Sequence, residues 1–101
     1  MTYATVRELA AKLPGVEEST SYGTPALKVR GKLLVRLKED GETIVLITDF
    51  FEREHLLRTA PKTFFITDHY GDYPSVLVRL STISRARMRT LLIDAWRRVS
   101  R

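Results

Sequence analysis

Two short glycine-containing turns constrain the fold of this chain most, because they divide its middle into segments of strand length. Gly31 separates the first two segments, and Asp40-Gly41 precedes the third. Glycine accepts the positive φ angles of tight hairpin turns, so such positions between apolar-rich segments predict hairpins. The three predicted strands are residues 26–30, 32–38 and 42–48.

The remaining elements follow from helical periodicity and from short β-rich runs. Helices are predicted over residues 3–13, 50–59 and 85–99, and further strands over 17–22, 63–67 and 76–82. The resulting order is α-β-β-β-β-α-β-β-α. Because nearly all strand connections are short, we predict an α+β fold with an antiparallel sheet and helices packed on one face.

Size and composition indicate one globular domain over residues 1–101. The hydrophobic content of 44% and charged content of 29% are typical of folded proteins. The chain has no cysteine, which excludes disulfides and thiolate metal sites. No signal peptide or membrane-length apolar run is found, so we expect a cytoplasmic protein that does not contact membranes.

The basic residues cluster in the predicted hairpin around Gly31. Residues 28–38 contain five of them and no acidic residue: Lys28, Arg30, Lys32, Arg36 and Lys38. A three-residue loop that pairs Lys28 with Lys32 would send Leu27, Leu33, Val35 and Leu37 to the core. The same register would send Lys28, Lys32, Arg36 and Lys38, with Leu34 among them, to the opposite face. That face would then be cationic.

The charge is polarised along the whole chain, although the net charge is only +5. Residues 84–101 form a second basic segment, whereas residues 39–72 are rich in acids. Such a distribution favours an anionic partner. The alternative is that both basic segments are simply solvated surfaces.

No residue pattern indicates catalysis or a bound metal. His55 is expected on the surface of a helix, and the adjacent pair Asp68-His69 lacks the geometry that base catalysis normally needs. The carboxylates are dispersed and neither histidine has a spaced partner, so no metal or other cofactor is predicted.

Aromatic residues mark the segment from 68 to 75 as a second candidate site. His69, Tyr70 and Tyr73 lie in this predicted loop, where tyrosine is less needed for packing. Tyrosines there either stack on bases or lie against sugars, or they cover the end of the core with their hydroxyls in water. Trp96 is expected to anchor the core, so its replacement by alanine should cost about 3–5 kcal/mol.

Three segments of the chain resemble the MmcQ/YjbR family. The first consists of Leu13-Pro14-Gly15-Val16 and the stretch that runs from Tyr22-Gly23-Thr24-Pro25 to Leu33. The second consists of Phe64-Phe65-Ile66-Thr67-Asp68-His69-Tyr70, Tyr73-Pro74 and residues 76–80. The third is Leu92-Ile93-Asp94-Ala95-Trp96-Arg97. This resemblance implies a CyaY-like fold and DNA binding through a "double wing" of β-hairpins. Asp68 and Ser75 depart from the family pattern, where proline and tryptophan are expected, which implies a smaller, more polar pocket.

The sequence therefore supports two leading functional hypotheses. The first is weak, largely sequence-independent DNA binding by the five basic hairpin residues, without enzymatic activity. The second is a domain that binds a protein or a small ligand through the loop 68–75. Catalysis by His69 is a third hypothesis, which depends on Asp68-His69 alone.

Overall fold

The computed structural model describes all residues 1–101 and contains three helices and six strands. Two short 3₁₀ turns, Asp68–Tyr70 and Leu80–Thr82, complete it. The elements are α1 (Tyr3–Ala10), β1 (Val16–Ser21), β2 (Thr24–Val29), β3 (Lys32–Leu37), β4 (Thr43–Ile47), α2 (Phe50–Thr59), β5 (Phe64–Phe65), β6 (Ser75–Arg79) and α3 (Arg85–Val99).

All six strands form one antiparallel sheet in the order β1-β2-β3-β4-β6-β5. Hairpins connect the first four strands. After β4 the chain passes through α2 and forms β5 at the edge of the sheet. Strand β6 then returns and lies between β4 and β5. The predicted α+β fold, element order and antiparallel sheet are confirmed.

One hydrophobic core fills the space between the sheet and the helices. It draws side chains from α1, α2, α3 and every strand except β1. The buried members are Val6, Leu9, Ala10, Leu27, Val29, Leu34, Val35, Ile44, Leu46, Leu56, Phe64, Val76, Val78, Leu80, Ile83, Met88, Leu91, Leu92, Ala95 and Val99. This cluster explains why the three helices, amphipathic α1 and α3 and, through Leu56, α2, pack on a single sheet face.

The turn at Gly31 differs from the predicted three-residue loop. Arg30 and Gly31 have φ angles of 52° and 79°, and Val29 pairs directly with Lys32. Positive φ at both central residues defines a two-residue type I′ turn, whose twist matches that of the flanking strands. The expected pairing of Lys28 with Lys32 is therefore wrong.

A β-bulge in β3 restores the predicted separation of side chains beyond the turn. Lys28 pairs with Leu33 whereas Leu27 pairs with Val35, so Leu34 is an extra residue without a partner. Leu34 is fully buried in the core, and Leu33 lies on the other face. The predicted orientations of these two leucines are reversed. Lys32 is also misplaced, because it pairs with the core residue Val29 and therefore lies on the helix side of the sheet rather than beside Lys28. The orientations predicted for Val35 and the residues after it are correct.

The element ends are set by identifiable caps. Asp49 accepts a hydrogen bond from the backbone N–H of Glu52 at 2.7 Å, and Ser84 accepts one from that of Arg87 at 3.1 Å. Aspartate and serine are residue types that normally occupy the N-cap position. Thr2 precedes α1 without a side-chain cap, and α1 ends at Ala10 rather than residue 13. No helix combines the length and apolar content needed to cross a bilayer.

Trp96 is not the central core residue that the sequence suggests. Its ring is partly buried at the edge of the core, and its Nε1–H donates to the carbonyl of Pro14 at 2.7 Å. The indole therefore connects α3 to the turn between α1 and β1. Phe64 is the fully buried aromatic residue instead.

Candidate functional site

The sheet face opposite the helices carries the candidate sites, although its residues Arg36, Val45 and Leu77 are themselves buried. Arg36, Val45, Leu77 and Phe65 form a directly paired row across β3, β4, β6 and β5, and paired residues point to the same side. The neighbouring row, which includes Val35, points into the core. We call the face that carries Arg36 the open face.

The loop 68–75 lies on part of this open face and is held there by one arginine. The guanidinium of Arg53, on α2, donates hydrogen bonds of 2.9–3.2 Å to the backbone carbonyls of Tyr70, Gly71, Tyr73 and Ser75. No carboxylate lies within salt-bridge distance of this guanidinium. Because backbone carbonyls use its donors instead, Arg53 fixes the loop against α2.

A cavity of about 150 Å³ separates the loop from the strands. Most of its lining residues are hydrophobic, and four of them have aromatic rings. Three of these aromatic residues lie in the loop, and Tyr22 lies in the turn between β1 and β2. The lining residues are Tyr22, Leu33, Val45, Ile47, His69, Tyr70, Tyr73, Pro74 and Ser75. The structure thus brings together all three of the loop residues that the sequence marks as a candidate pocket.

Ser75 is the one aliphatic hydroxyl in this lining. The residue is only 3% exposed, and its Oγ has no hydrogen-bond partner within the chain. A buried hydroxyl without a partner loses its hydration without compensation. Its free donor and acceptor capacity is therefore available to a molecule in the cavity.

Arg36 is buried in a network at the rim of the cavity. It is 3% exposed and donates to the Ser21 carbonyl at 3.0 Å, to the Tyr70 hydroxyl at 3.1 Å and to the carboxylate of Glu39. The pKa of the Glu39 carboxyl lies below its usual range, because the carboxylate accepts hydrogen bonds from the backbone N–H of Glu39 and from the Arg36 guanidinium. The acidic mid-chain therefore neutralises this basic residue.

The other four basic hairpin residues have no carboxylate within salt-bridge distance. Arg30 and Lys32 are exposed at the turn, and Lys28 is half-buried on the open face. Lys38 Nζ lies 5.1 Å from the centroid of the Tyr70 ring, at the cavity rim. None of these four residues is therefore held in an ion pair, although Glu17 lies directly opposite Lys28 across β1 and β2. Lys38 also contributes to lowering the pKa values of the neighbouring Glu39 and Asp40 carboxyls.

Neither histidine is placed for base catalysis. Asp68 and His69 are exposed in the 3₁₀ turn and form no hydrogen bond with each other. The His69 ring packs edge-on against Tyr70, with ring centroids 4.8 Å apart. His55 is exposed on α2, as the sequence predicts. No group of three or more histidine, aspartate and glutamate residues is arranged to hold a metal ion.

Sequence reasoning missed the role of Arg53 and the floor of the cavity. Arg53 stands between Glu52 and Glu54, which favours its interpretation as a solvated helix residue. Its carbonyl partners lie about twenty positions away in a loop without regular structure. Alternation in β4 gives a partial signal for Val45 and Ile47, because they point away from the core residues Ile44 and Leu46.

These features define a small α+β domain with a six-stranded antiparallel sheet, helices on one face and a loop-covered cavity on the other. The chain belongs to the YjbR family, whose model matches residues 11–98. The resemblance to the MmcQ/YjbR family seen in the sequence is thereby confirmed.

Similar proteins agree with this assignment. The uncharacterized proteins Rv2570 of Mycobacterium tuberculosis (strain H37Rv) and Mb2600 of Mycobacterium bovis are each 34% identical over 62 residues, which are 61% of this chain. The matched segment spans 40% of the length of these curated relatives. The crystal structure of Deinococcus radiodurans protein DR2400, a DUF419 domain, matches with a TM-score of 0.84 at 20% identity. That match covers 99% of this chain and 79% of DR2400, and it supports the fold.

Proposed function

We propose that this domain is a non-enzymatic DNA-binding module that contacts the phosphate backbone through the β2–β3 hairpin. The single observation that carries the proposal is the set of four unpaired basic residues on this hairpin. They are Lys28, Arg30, Lys32 and Lys38. Arg36 leaves the original set of five because Glu39 and Tyr70 occupy its guanidinium.

The geometry favours binding that depends weakly on DNA sequence. Arg30 and Lys32 are long, exposed side chains at a two-residue turn, and no buried partner fixes their positions. Such side chains neutralise phosphates and release counterions, but they do not read base edges in a fixed geometry. We expect dissociation constants of about 10⁻⁴–10⁻⁶ M at physiological salt, the range of nonspecific binding.

The backbone at Arg30 supports a role for its side chain. With φ at 52°, Arg30 occupies a turn position that glycine and asparagine normally fill. A left-handed conformation costs a residue with a Cβ roughly 1–2 kcal/mol. An exposed arginine at such a position contributes nothing to the core, so a function for its charge is the best explanation.

The test is a salt-resolved titration of duplex DNA by fluorescence anisotropy. Each phosphate contact changes the slope of log K against log salt by about −0.9, so four contacts give a slope of about −3.6. Replacing Lys28, Arg30 and Lys32 with glutamate should abolish binding. The control replaces Arg58, Lys62 and Arg89, which are exposed and carry the same total charge.

A second variant separates lost contacts from lost structure. Arg30→Asn suits the type I′ turn better and should raise stability by up to about 1 kcal/mol. The same change should reduce the salt slope by about 0.9 because one phosphate contact is lost. Equal loss of affinity in the control triple variant, or an Arg30→Asn slope equal to that of the unmodified protein, would contradict the proposed surface.

A further inference from the structure

We propose that the cavity under the loop 68–75 is a binding site for one flat six-membered ring that carries an anionic group. This is the chemistry of a pyrimidine nucleotide, supplied either free or as an unstacked base of a single-stranded nucleic acid. The proposal is independent of duplex binding by the hairpin, because the two surfaces share only Lys38.

The size of the cavity indicates a single ring. A dry apolar cavity of about 150 Å³ holds a molecule the size of benzene. The volume here is about 150 Å³, and Leu33, Val45 and Ile47 form an apolar floor on the sheet. A single ring fills this volume, whereas a bicyclic purine would extend beyond it into solvent.

The walls indicate that the ring is aromatic. His69 lies between Tyr70 and Tyr73, with ring centroids 4.8 Å and 6.5 Å away, respectively. Tyr22 faces the same cavity from the turn between β1 and β2 and is 84% exposed. Aromatic side chains around a cleft bind flat rings by stacking and by edge-to-face contacts.

The backbone at Tyr22 also points to a ligand. Its φ is 53°, and with Gly23 it forms a type I′ turn in which asparagine or glycine is preferred. A large exposed aromatic residue in this conformation is not explained by core packing. Its ring instead stands at the cavity, with the Arg36 guanidinium 5.1 Å from its centroid.

Two polar features set the rest of the ligand chemistry. The unpartnered Ser75 Oγ can donate to or accept from the polar edge of a pyrimidine. At the rim, a shallower depression adjoins the cavity and is lined by Arg36, Lys38 and Glu39 together with three of the cavity rings. Because Glu39 neutralises Arg36, Lys38 is the cation left for a phosphate group.

The site is preformed rather than assembled by the ligand. Arg53 holds the loop through four backbone carbonyls, and the Tyr70 hydroxyl accepts a hydrogen bond from buried Arg36. A fixed pocket avoids the entropy loss of ordering a loop on binding. Measurable affinity for a small mononucleotide is therefore expected.

The experiment is an NMR titration that follows the backbone amide of Ser75 and the rings of Tyr22 and Tyr73. The probes are uridine 5′-monophosphate, uridine, adenosine 5′-monophosphate, a hexathymidylate and an abasic hexamer of the same length. We expect saturable shifts with uridine 5′-monophosphate, at least fivefold weaker binding of uridine, and weaker binding of adenosine 5′-monophosphate. Shifts with hexathymidylate that the abasic hexamer does not produce identify a base of a strand as the source.

Variants keep the test specific. Ser75→Leu fills the cavity and should abolish these shifts, whereas Ser75→Ala preserves the space and should weaken binding severalfold. Tyr73→Ala removes a half-exposed wall and should also weaken binding, with an unchanged fold. Ser81→Leu, at an exposed serine, is the matched control.

Two outcomes would overturn the proposal. The first is the absence of shifts at Ser75 with every mononucleotide and with hexathymidylate. The second is identical binding by Ser75→Leu. In either case the duplex titration of Ser75→Leu still shows whether the hairpin binds DNA, so failure of the cavity and failure of the hairpin are distinguishable.

Discussion

At the scale of single residues, Arg36 and Arg53 show how two arginines can be removed from the surface in different ways. Arg36 is neutralised by Glu39, whereas Arg53 is satisfied by four neutral carbonyls. Each organises one boundary of the cavity: Arg36 fixes Tyr70 at the rim, and Arg53 fixes the loop. Neither is available to a phosphate without breaking these contacts.

The first prediction concerns Arg53. Arg53→Ala should cost about 1.5–3 kcal/mol because hydrogen bonds from a charged group to four backbone carbonyls are lost. Hydrogen exchange of the amides in residues 68–75 should accelerate, while that of β3 and β4 should not. Arg58→Ala, on the exposed side of the same helix, is the control and should change stability by less than about 0.5 kcal/mol. Unchanged exchange in the loop would show that Arg53 does not hold it.

The second prediction concerns Tyr3, whose hydroxyl is buried without a hydrogen-bond partner. Burial raises the pKa of this hydroxyl to about 12 from 10.0. Because the pKa of Tyr3 is higher in the folded state than in the unfolded chain, its ionisation does not lower the free energy of unfolding below pH 10. The free energy of unfolding falls as the pH rises from 10 towards 12, where the unfolded chain loses this proton first.

Tyr3→Phe removes that titration. The variant should be as stable as the unmodified protein at pH 7, or more stable by up to about 1 kcal/mol, because the buried hydroxyl has no partner to lose. Its advantage should grow between pH 10 and pH 12 in urea denaturation experiments. A constant difference over that range would contradict the raised pKa of Tyr3.

At the scale of elements, the hairpins were predictable and their detailed register was not. Glycine positions and apolar alternation locate β2, β3 and β4, because turn and strand chemistry are local. The bulge at Leu34 involves two adjacent leucines, Leu33 and Leu34. The local sequence pattern does not determine which of them faces the core. Packing against the helices decides between them, and this is a tertiary effect that no window of β3 contains.

The third prediction tests this register directly. Leu34→Ala should cost about 2–5 kcal/mol, because Leu34 is fully buried in the core. Leu33→Ala should cost only about 1 kcal/mol, since Leu33 is half-buried at the cavity. The two variants differ from the same parent by the same atoms, so each serves as the control for the other in chemical denaturation. The reverse order of costs would support the register without the bulge.

The cavity could be predicted only in part at this scale. The aromatic residues of the loop 68–75 stand out because they lie outside regular structure. Tyr22 joins them across about fifty positions of sequence, and Ser75 becomes part of the lining because β6 inserts between β4 and β5. Contacts of this kind follow from sheet order, which a single sequence determines only through the whole fold.

At the scale of the whole molecule, the fold separates structure from binding by using the two sheet faces differently. The helices and one row of side chains form the large hydrophobic core, while the other row carries the cavity together with Lys28 and Lys38. Arg30 lies in the turn, and Lys32 lies on the helix side at the end of the hairpin. The family match and the similarity to DR2400 support this architecture. Substitutions of solvent-exposed residues on the open face should therefore change binding with little change in folding, whereas those of its buried members Val45 and Leu77 should not.

The last prediction follows from the single core. Because the 20 buried residues come from all three helices and five strands, no element has a hydrophobic cluster of its own. A chain of 101 residues with this arrangement should unfold as one cooperative unit in urea. Far-UV circular dichroism and Trp96 fluorescence should give the same midpoint, since Trp96 connects α3 to the Pro14 carbonyl beside β1.

Trp96→Phe provides the control for that experiment. It removes the 2.7 Å hydrogen bond to the Pro14 carbonyl but keeps an aromatic ring at the edge of the core. It should cost about 1 kcal/mol, well below the value for a fully buried tryptophan replaced by alanine, and circular dichroism should still show one transition. An earlier fluorescence transition in the unmodified protein would mean that α3 separates from the sheet before the sheet unfolds. The core would then not unfold as a single cooperative unit.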